Sequence, residues 1–251
     1  QIEIIKGASS VLYGSSALNG VMNIRTAFPS QNDIDKQHLI KRYKNTGYTK
    51  VNMHFGLIDK ARRESLNWSG DKRRAFKGIE FLQAFKANNL DFTFGGNIFK
   101  DDGYRQGEIT DRKRFNLNST YKSKRIEGLS CGLNANFLFQ TTGSVLIWDG
   151  YDRAYIPLNN EITNTNGDTY NIDPYITYMR GNNRHSLRTR YLKVINDNST
   201  KGEDNNQDNE SEIYFADYQW QKNFKEYNLR ITSGLTNEIV YGRSDIFQGK
   251  N

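Results

Sequence analysis

Apolar and polar residues alternate with a period of two along most of the chain after residue 48. Two long runs show the pattern best, 129–140 (LSCGLNANFLFQ) and 229–239 (LRITSGLTNEI). A period of two predicts β-strands, because successive side chains of a strand point to opposite faces, and no stretch shows a comparable helical period. We predict about nine strands, near 49–58, 75–87, 89–100, 112–123, 126–140, 170–180, 184–196, 211–222 and 227–241.

The lengths of the predicted strands and connections favour a transmembrane barrel. Each strand has about ten residues or more, like a tilted membrane strand of about 9–11 residues, whereas the usual soluble strand has about 5–6. Short turns on one rim and long loops on the other are typical of outer-membrane barrels. The predicted turns are at Asn88, Lys124–Arg125, 181–183 and 223–226, and the predicted loops are 59–74, 101–111, 141–169 and 197–210. Soluble sheets alternate as well, so a soluble β-rich surface-binding module is the alternative.

The composition excludes one class of membrane protein and leaves the barrel open. Hydrophobic residues make up 36% of the chain and the mean hydropathy is −0.80, which excludes a bundle of transmembrane helices of about 20 mostly apolar residues each. Barrel strands alternate between two faces and therefore average out as polar. The net charge of +7 is spread over loops and strands without one dense basic stripe, so we expect no nucleic-acid partner.

The residues that carry metal and catalytic chemistry are sparse. The single cysteine, Cys131, excludes zinc clusters and dithiol motifs, and His38, His54 and His185 lack metal-ligand spacing. No nucleophile elbow, paired-carboxylate motif or nucleotide-binding glycine motif occurs, so we expect no enzyme and no cofactor. Loop 197–210 offers oxygen ligands without calcium-loop spacing, which favours a solvated loop over a calcium site. Its acids are Glu203, Asp204, Asp208 and Glu210.

The start of the chain differs from the rest. Residues 8–24 carry no charge and are rich in glycine and serine, which predicts short strands joined by tight glycine turns. Residues 27–48 form a basic connector. The chain starts at Gln1 without a charged segment followed by an apolar stretch, so no signal peptide is predicted and we expect a fragment of a longer protein.

The segment Ile2–Thr26, IEIIKGASSVLYGSSALNGVMNIRT, resembles the end of the plug domain of TonB-dependent outer-membrane receptors, in the form typical of Bacteroidetes-type bacteria. The shared pattern is a strand ending in glycine, an aliphatic–Tyr–Gly turn, a small-residue segment and a strand of the type N-I-x-T. The motif positions are Gly7, Tyr13, Gly14, Gly20 and Asn23. The stretch Leu90–Arg105, LDFTFGGNIFKDDGYR, is similar to early barrel strands of the same family.

The resemblance implies an all-β fold, a partial transmembrane antiparallel β-barrel in the bacterial outer membrane. Residues 1–26 would be the end of the plug domain, and residues 27–48 would connect the plug to the barrel. Residues 49–251 would supply about nine of about 22 barrel strands. It also implies active transport driven by the TonB complex, which would contact a segment outside this chain, with outer-membrane lipid around the barrel. We expect the substrate to be a ferric siderophore. The alternative is an oligosaccharide or peptide imported by the same mechanism, with a surface lipoprotein as a further partner.

Two predicted loops contain the candidates for binding an extracellular small-molecule ligand. Aromatic rings beside arginines suit siderophores or glycans, through stacking and charge-assisted hydrogen bonds. An aromatic girdle at the membrane interface is the alternative for Trp148 and Tyr151, and Tyr13 is expected to pack the plug turn against the barrel wall. The candidates are Trp148, Tyr151, Arg153 and Tyr155 in loop 141–169, and Tyr104 and Arg105 in loop 101–111.

Arginines at alternate strand positions are expected to face the barrel lumen. Arg188, Arg190 and Arg230 would attract anionic chelates there or pair with carboxylates of the plug or wall. Leu192 and Val194 continue the same alternate positions yet are apolar, which predicts a β-bulge or a slipped facing in this strand.

Overall fold

The computed structural model describes residues 2–6, 20–24, 45–205 and 207–247, and the chain is all-β within them. Nine long antiparallel strands form one sheet in chain order. They are β3 (Asn45–Ile58), β4 (Arg74–Ala87), β5 (Leu90–Asp101), β6 (Thr110–Lys122), β7 (Leu129–Ser144), β10 (Thr163–Arg180), β11 (Asn183–Thr200), β13 (Asn209–Phe224) and β14 (Leu229–Ser244). The short strand β12 (Glu203–Asp204) pairs with β11, while β8 (Trp148–Asp149) and β9 (Arg153–Pro157) form a separate hairpin. No helix in the described ranges is long and apolar enough to cross a membrane.

The predicted strands and the alternation of turns and loops are confirmed. The nine strands have between 12 and 18 residues. Turns 88–89, 123–128, 181–182 and 225–228 lie on one edge of the sheet, here called the short-turn rim. Loops 59–73, 102–109, 145–162 and 201–208 lie on the opposite edge, here called the long-loop rim. Asn88 and Asn228 adopt positive φ of 51° and 47° in their turns, a conformation that asparagine tolerates better than most residues.

Two strands begin at least four residues earlier than the sequence pattern predicts. β3 begins at Asn45 rather than at 49, so the end of the predicted connector 27–48 is strand; residues 27–44 lie outside the described ranges. β10 begins at Thr163 rather than at 170. Residues 163–169, TNTNGDT, contain no large apolar side chain and therefore show no alternation. They pair with β7 and β11 through backbone groups, which every residue except proline supplies.

Cross-strand pairing places most of the apolar residues of the nine strands on one side of the sheet. Paired residues of antiparallel strands point to the same face, and the register runs without a shift from β3 to β14. Leu117 pairs with Ala135, which pairs with Ile172; this side is here called the apolar face. The neighbouring row contains Asn116 and Asn136, whose side chains are hydrogen-bonded to each other. It belongs to the opposite side, here called the polar face.

The apolar face has no second layer packed on it among the described residues. Their only buried hydrophobic side chains are Leu66, Ala84 and Ala135. On the apolar face Met53 is 75% exposed and Leu235 is 74% exposed. The outer strands β3 and β14 each pair on one side only within the described ranges. A sheet in water buries such a face, so this one requires a cover.

The first residues form a small sheet of their own. β1 (Ile2–Lys6) and β2 (Gly20–Ile24) pair antiparallel, which confirms the short strands expected in this segment. Gly20 and Asn23 of the motif lie on β2. The other motif positions, Gly7, Tyr13 and Gly14, lie outside the described residues.

The bulge predicted in β11 is wrong. β11 keeps one register with β10 and with β13 along their paired lengths, so Leu192 and Val194 do lie on the polar face. Leu192 pairs with Ile213, and Ile213 pairs with Val240. Apolar residues on adjacent strands thus neighbour one another on an otherwise polar face, and the strand needs no slip to accommodate them.

Candidate functional site

Three loops of the long-loop rim, 59–73, 102–109 and 145–162, contact one another and are here called the loop cluster. The backbone N–H of Gln106 donates to the carbonyl of Tyr155 at 3.0 Å. Arg63 Nη2 donates to a carbonyl of the β8–β9 turn at 3.0 Å. All six predicted ligand residues lie in this cluster: Tyr104, Arg105, Trp148, Tyr151, Arg153 and Tyr155.

Tyr104 and Tyr155 join two of the loops through their rings. The ring centroids are 4.9 Å apart in an edge-to-face arrangement, and the two hydroxyl oxygens are 3.4 Å apart and hydrogen-bonded. The Trp68 indole Nε1–H of the third loop donates to the carbonyl of Tyr104 at 3.3 Å. The pKa of Tyr104 is raised above its usual 10.0, first by the hydrogen bond with Tyr155 and then by burial.

Each of two arginines in the cluster lies over an aromatic ring. The Arg105 guanidinium is 4.7 Å from the centroid of Trp148, and that of Arg63 is 4.2 Å from the centroid of Tyr151. Such cation–π contacts contribute about 0.5–1 kcal/mol at exposed sites. Trp148 and Tyr151 therefore lie in the β8–β9 hairpin against loop arginines, beyond the end of β7.

Arg74, the first residue of β4, anchors loop 102–109 to the sheet. Its side chain is only 6% exposed and donates to the carbonyls of Gly103 and Tyr104. The guanidinium also lies 4.6 Å from the ring centroid of Trp68. Burial lowers the pKa of Arg74, but the nearby carbonyls and aromatic faces compensate for part of the lost hydration.

An open cavity of about 500 Å³ lies within the loop cluster. Its polar wall includes an ion pair between Arg153 Nη1 and Asp149 Oδ2 at 3.1 Å and a hydrogen bond from Gln106 Nε2 to Asn160 Oδ1 at 3.2 Å. Trp68 provides an aromatic face on the same cavity. A planar or ring-shaped polar ligand can stack on this indole and bond to the amides, as in many polar-ligand sites.

The six predicted residues divide between this cavity and the packing of the loops. Arg153 lines the cavity, whereas the rings of Tyr104 and Tyr155 pack on each other. Sequence reasoning missed Trp68, Arg63 and the other residues that loop 59–73 contributes. The run around Trp68 does contain an aromatic side chain among arginines, ARRESLNWSGDKRR, and that composition was the available signal.

The other sequence candidates are separate from the loop cluster. The acids of the β11–β13 connection do not converge: Asp208 accepts from the Asn198 backbone N–H at 2.6 Å, and Glu210 pairs with Lys193. No group of three or more His, Cys, Asp or Glu in the described part of the chain is placed to hold a metal ion.

The three predicted lumen arginines lie on the polar face, as the alternation requires. Arg190 forms a two-pronged ion pair with Asp173 on the neighbouring strand, at 2.9 and 3.0 Å. Arg230 Nε donates to Asn223 Oδ1 at 2.8 Å. Arg188 lies between Tyr175 and Asp217 in the register and forms no ion pair within the described residues.

Two rows of rings cross the apolar face. The row nearer the long-loop rim includes Tyr191 and Tyr214, whose centroids are 5.2 Å apart, and Tyr214 and Tyr241, at 6.2 Å. The row nearer the short-turn rim includes His185, which lies 6.3 Å from the Tyr218 centroid and bonds to its hydroxyl at 2.9 Å. Between the rows, the face carries mainly aliphatic and small side chains, including Leu187. A band bounded by rings at both ends is therefore built into the sheet.

Comparison with known proteins identifies no family for this chain. No family model, no curated protein and no solved structure matches the chain. Functional inference accordingly depends on the residues and contacts described above.

Proposed function

We propose that the chain is part of a TonB-dependent outer-membrane receptor, comprising the end of its plug and the first strands of its barrel, and that the receptor imports a ferric siderophore. The observation that carries the proposal is the apolar face, uncovered among the described residues and bounded by aromatic rows at both ends. Hydrocarbon is the cover that such a band fits, because tyrosine and tryptophan rings concentrate at the two membrane–water interfaces. The plug-like motif of residues 2–26 supports the same family.

The dimensions of the band agree with a membrane along β10, where the two rows are farther apart than on β13, whose Tyr214 and Tyr218 are four residues apart. Tyr170 and Tyr178 belong to the two rows and are eight residues apart on β10. Eight residues of strand span about 26 Å at about 3.3 Å per residue. With a strand tilt of about 40°, the vertical distance is about 20 Å, close to the apolar band of about 25 Å in outer-membrane barrels. A sheet edge in hydrocarbon must also be paired, so β3 and β14 need further strands in the intact protein.

The polar face and the loop cluster support transport of a polar, anionic substrate. Arg114, Arg184 and Arg188 lie on the polar face without ion pairs among the described residues. Cations lining one side of a barrel wall attract anions, and iron chelates of catechol or hydroxycarboxylate type are anionic. The loop cluster supplies rings and hydrogen-bonding groups at the rim where an extracellular ligand would arrive.

The test uses the intact protein in its native membrane. We expect heat-modifiable migration on gels, recovery in the outer-membrane fraction, and uptake of iron-55 chelates that stops when the proton gradient is collapsed. Iron-repressed expression would agree with the siderophore assignment. Recovery of the intact protein in the soluble fraction without heat-modifiable migration would refute the membrane placement.

An oligosaccharide substrate is the second candidate, and the cavity of the loop cluster favours it. Trp68 beside Gln106 and Asn160 is an arrangement that suits a sugar ring, with stacking on the indole and hydrogen bonds to the amides. Titration calorimetry of the intact receptor with ferric chelates and with oligosaccharides separates the two. Heat of binding to oligosaccharides alone, abolished by Trp68→Ala, would replace the siderophore assignment.

A further inference from the structure

Three lysines lie together on the apolar face of β4, β5 and β6, near the long-loop rim. We propose that Lys77, Lys100 and Lys113 bind the phosphate group of an anionic membrane lipid. The inference rests on the membrane placement proposed above and adds a specific lipid contact to it.

The sheet register places the three lysines together. Lys77 of β4 pairs directly with Lys100 of β5, so their Cβ atoms are about 4.5–5.5 Å apart. Ile98 pairs with Lys113 of β6, which makes Lys100 and Lys113 diagonal neighbours about 7–8 Å apart. All three side chains point to the apolar face and are exposed. The three ammonium groups therefore lie within reach of one phosphate.

Hydrocarbon-facing residues come next on each of the same strands. One alternation step towards the short-turn rim from the lysines lie Ile79, Ile98 and Phe115. Towards the long-loop rim, only Ala75 and Asp111 follow the lysines on this face of the three strands. A lipid lying along β4, β5 and β6 would place its acyl chains on the apolar residues and its phosphate at the lysines. Lysine suits this position because its aliphatic side chain covers apolar surface while its ammonium group reaches polar groups.

The charge of this patch is not balanced by the protein. The three lysines make no hydrogen bond or ion pair within the described residues. One carboxylate, Asp111, lies directly opposite Lys100 on the same face, which leaves an excess of two positive charges. Like charges on directly paired residues destabilise a sheet, so a bound anion offsets a cost that the fold carries at Lys77 and Lys100.

The corresponding level of β11 and β13 shows what a balanced site looks like. Lys193 pairs there with both Glu210 and Glu212, the latter at 3.0 Å. Glu212 also accepts from the hydroxyl of Tyr214 at 3.3 Å. That group needs no external anion, whereas the patch on β4, β5 and β6 does. We therefore assign the lipid phosphate to these three strands.

The experiment measures binding of phosphatidylglycerol to the intact protein in neutral detergent, by native mass spectrometry. A lysine near a charged lipid surface contributes about fivefold in affinity, so replacing all three with glutamine is expected to raise the Kd about 100-fold. Arginine at the three positions keeps the charge and should keep the affinity. The matched control removes three lysines from the polar face of β3, β4 and β6, with Lys50→Gln, Lys86→Gln and Lys122→Gln.

Three outcomes overturn the inference. The first is that the glutamine triple variant binds phosphatidylglycerol as tightly as the wild type does. The second is that the polar-face control weakens binding equally, which would show that only the net charge matters. The third is that inorganic phosphate displaces the lipid at equal concentration, which would make the patch a free-anion site. If the triple variant does not fold, Lys100→Gln alone should still raise the Kd about fivefold.

Flotation with neutral phosphatidylcholine vesicles separates this inference from the proposed function. Failure of the wild-type protein to enter them refutes the membrane placement and, with it, the lipid site. Entry into these vesicles without selective phosphatidylglycerol binding refutes the lipid site alone.

Discussion

Replacing Leu235 with arginine tests directly what covers the apolar face. Leu235 lies on β14 six residues from both Leu229 and Tyr241, directly opposite Tyr218, and is 74% exposed within the described chain. In a bilayer, arginine on the lipid-facing side of a barrel destabilises by up to about 2–4 kcal/mol, a factor of up to roughly 30 to 1000 in the unfolding equilibrium. In water, the same change at so exposed a position falls within about 0.5 kcal/mol of zero.

The matched control is Thr236→Arg, one residue along the same strand. Thr236 points to the polar face, where its hydroxyl donates to Asp217 Oδ1 at 3.1 Å, so an arginine there meets a carboxylate. The assay is equilibrium urea unfolding of the intact protein in phosphatidylcholine vesicles, read by tryptophan fluorescence and heat-modifiable migration. A large loss for Leu235→Arg and a small loss for Thr236→Arg is the expected result. Equal losses at the two positions would refute the assignment of hydrocarbon to the apolar face.

Four further substitutions probe the loop cluster. Gly103→Ala should unfold its loop, because φ is +74° and a Cβ would collide with a backbone carbonyl. Gly150→Ala, at a φ of +61° with open space around the position, should destabilise its loop by only about 1–2 kcal/mol. Hydrogen exchange of the two loops distinguishes these outcomes. Arg74→Ala removes two charge-assisted hydrogen bonds to buried carbonyls and should destabilise loop 102–109 by about 2–4 kcal/mol, measured by the same exchange. Tyr155→Phe should return the pKa of Tyr104 towards 10.0. Because the pKa of Tyr104 is raised in the folded state, this interaction stabilises the fold at pH values below the unfolded-state pKa. The stabilisation is lost as the pH rises through the folded-state pKa. Ultraviolet titration should therefore show that Tyr104 ionises at a lower pH in the variant.

Much of the sheet could be predicted because strand signals are local. The alternation in 129–140 and 229–239 places β7 and β14 within a few residues of their observed limits. The polar start of β10 could not be found this way, since backbone pairing with two neighbours holds Thr163 and the residues after it in the sheet. The predicted bulge in β11 failed for a related reason. It assumed that every lumen-facing residue is polar, whereas Leu192 has Ile213 as its cross-strand neighbour.

The candidate site was predicted in part. Aromatic rings and arginines in 141–169 and 101–111 indicated two loops that do touch each other through Tyr104 and Tyr155. The contribution of loop 59–73 to the site was missed, because Trp68 is remote in sequence from the other two loops. The composition of a loop does not reveal which other loop lies beside it; the order of strands in the sheet does.

The sequence by itself determined the β-strands, their two unlike faces and the alternation of short turns with long loops. These properties depend on side-chain alternation and on turn residues, which act within a few positions of the chain. Only the tertiary structure decided which side chains meet: Arg74 with Trp68, Arg190 with Asp173, and Lys77 with Lys100. Those pairs depend on register, which each strand acquires from its neighbours, so residues far apart in the chain become partners only when the whole sheet is assembled.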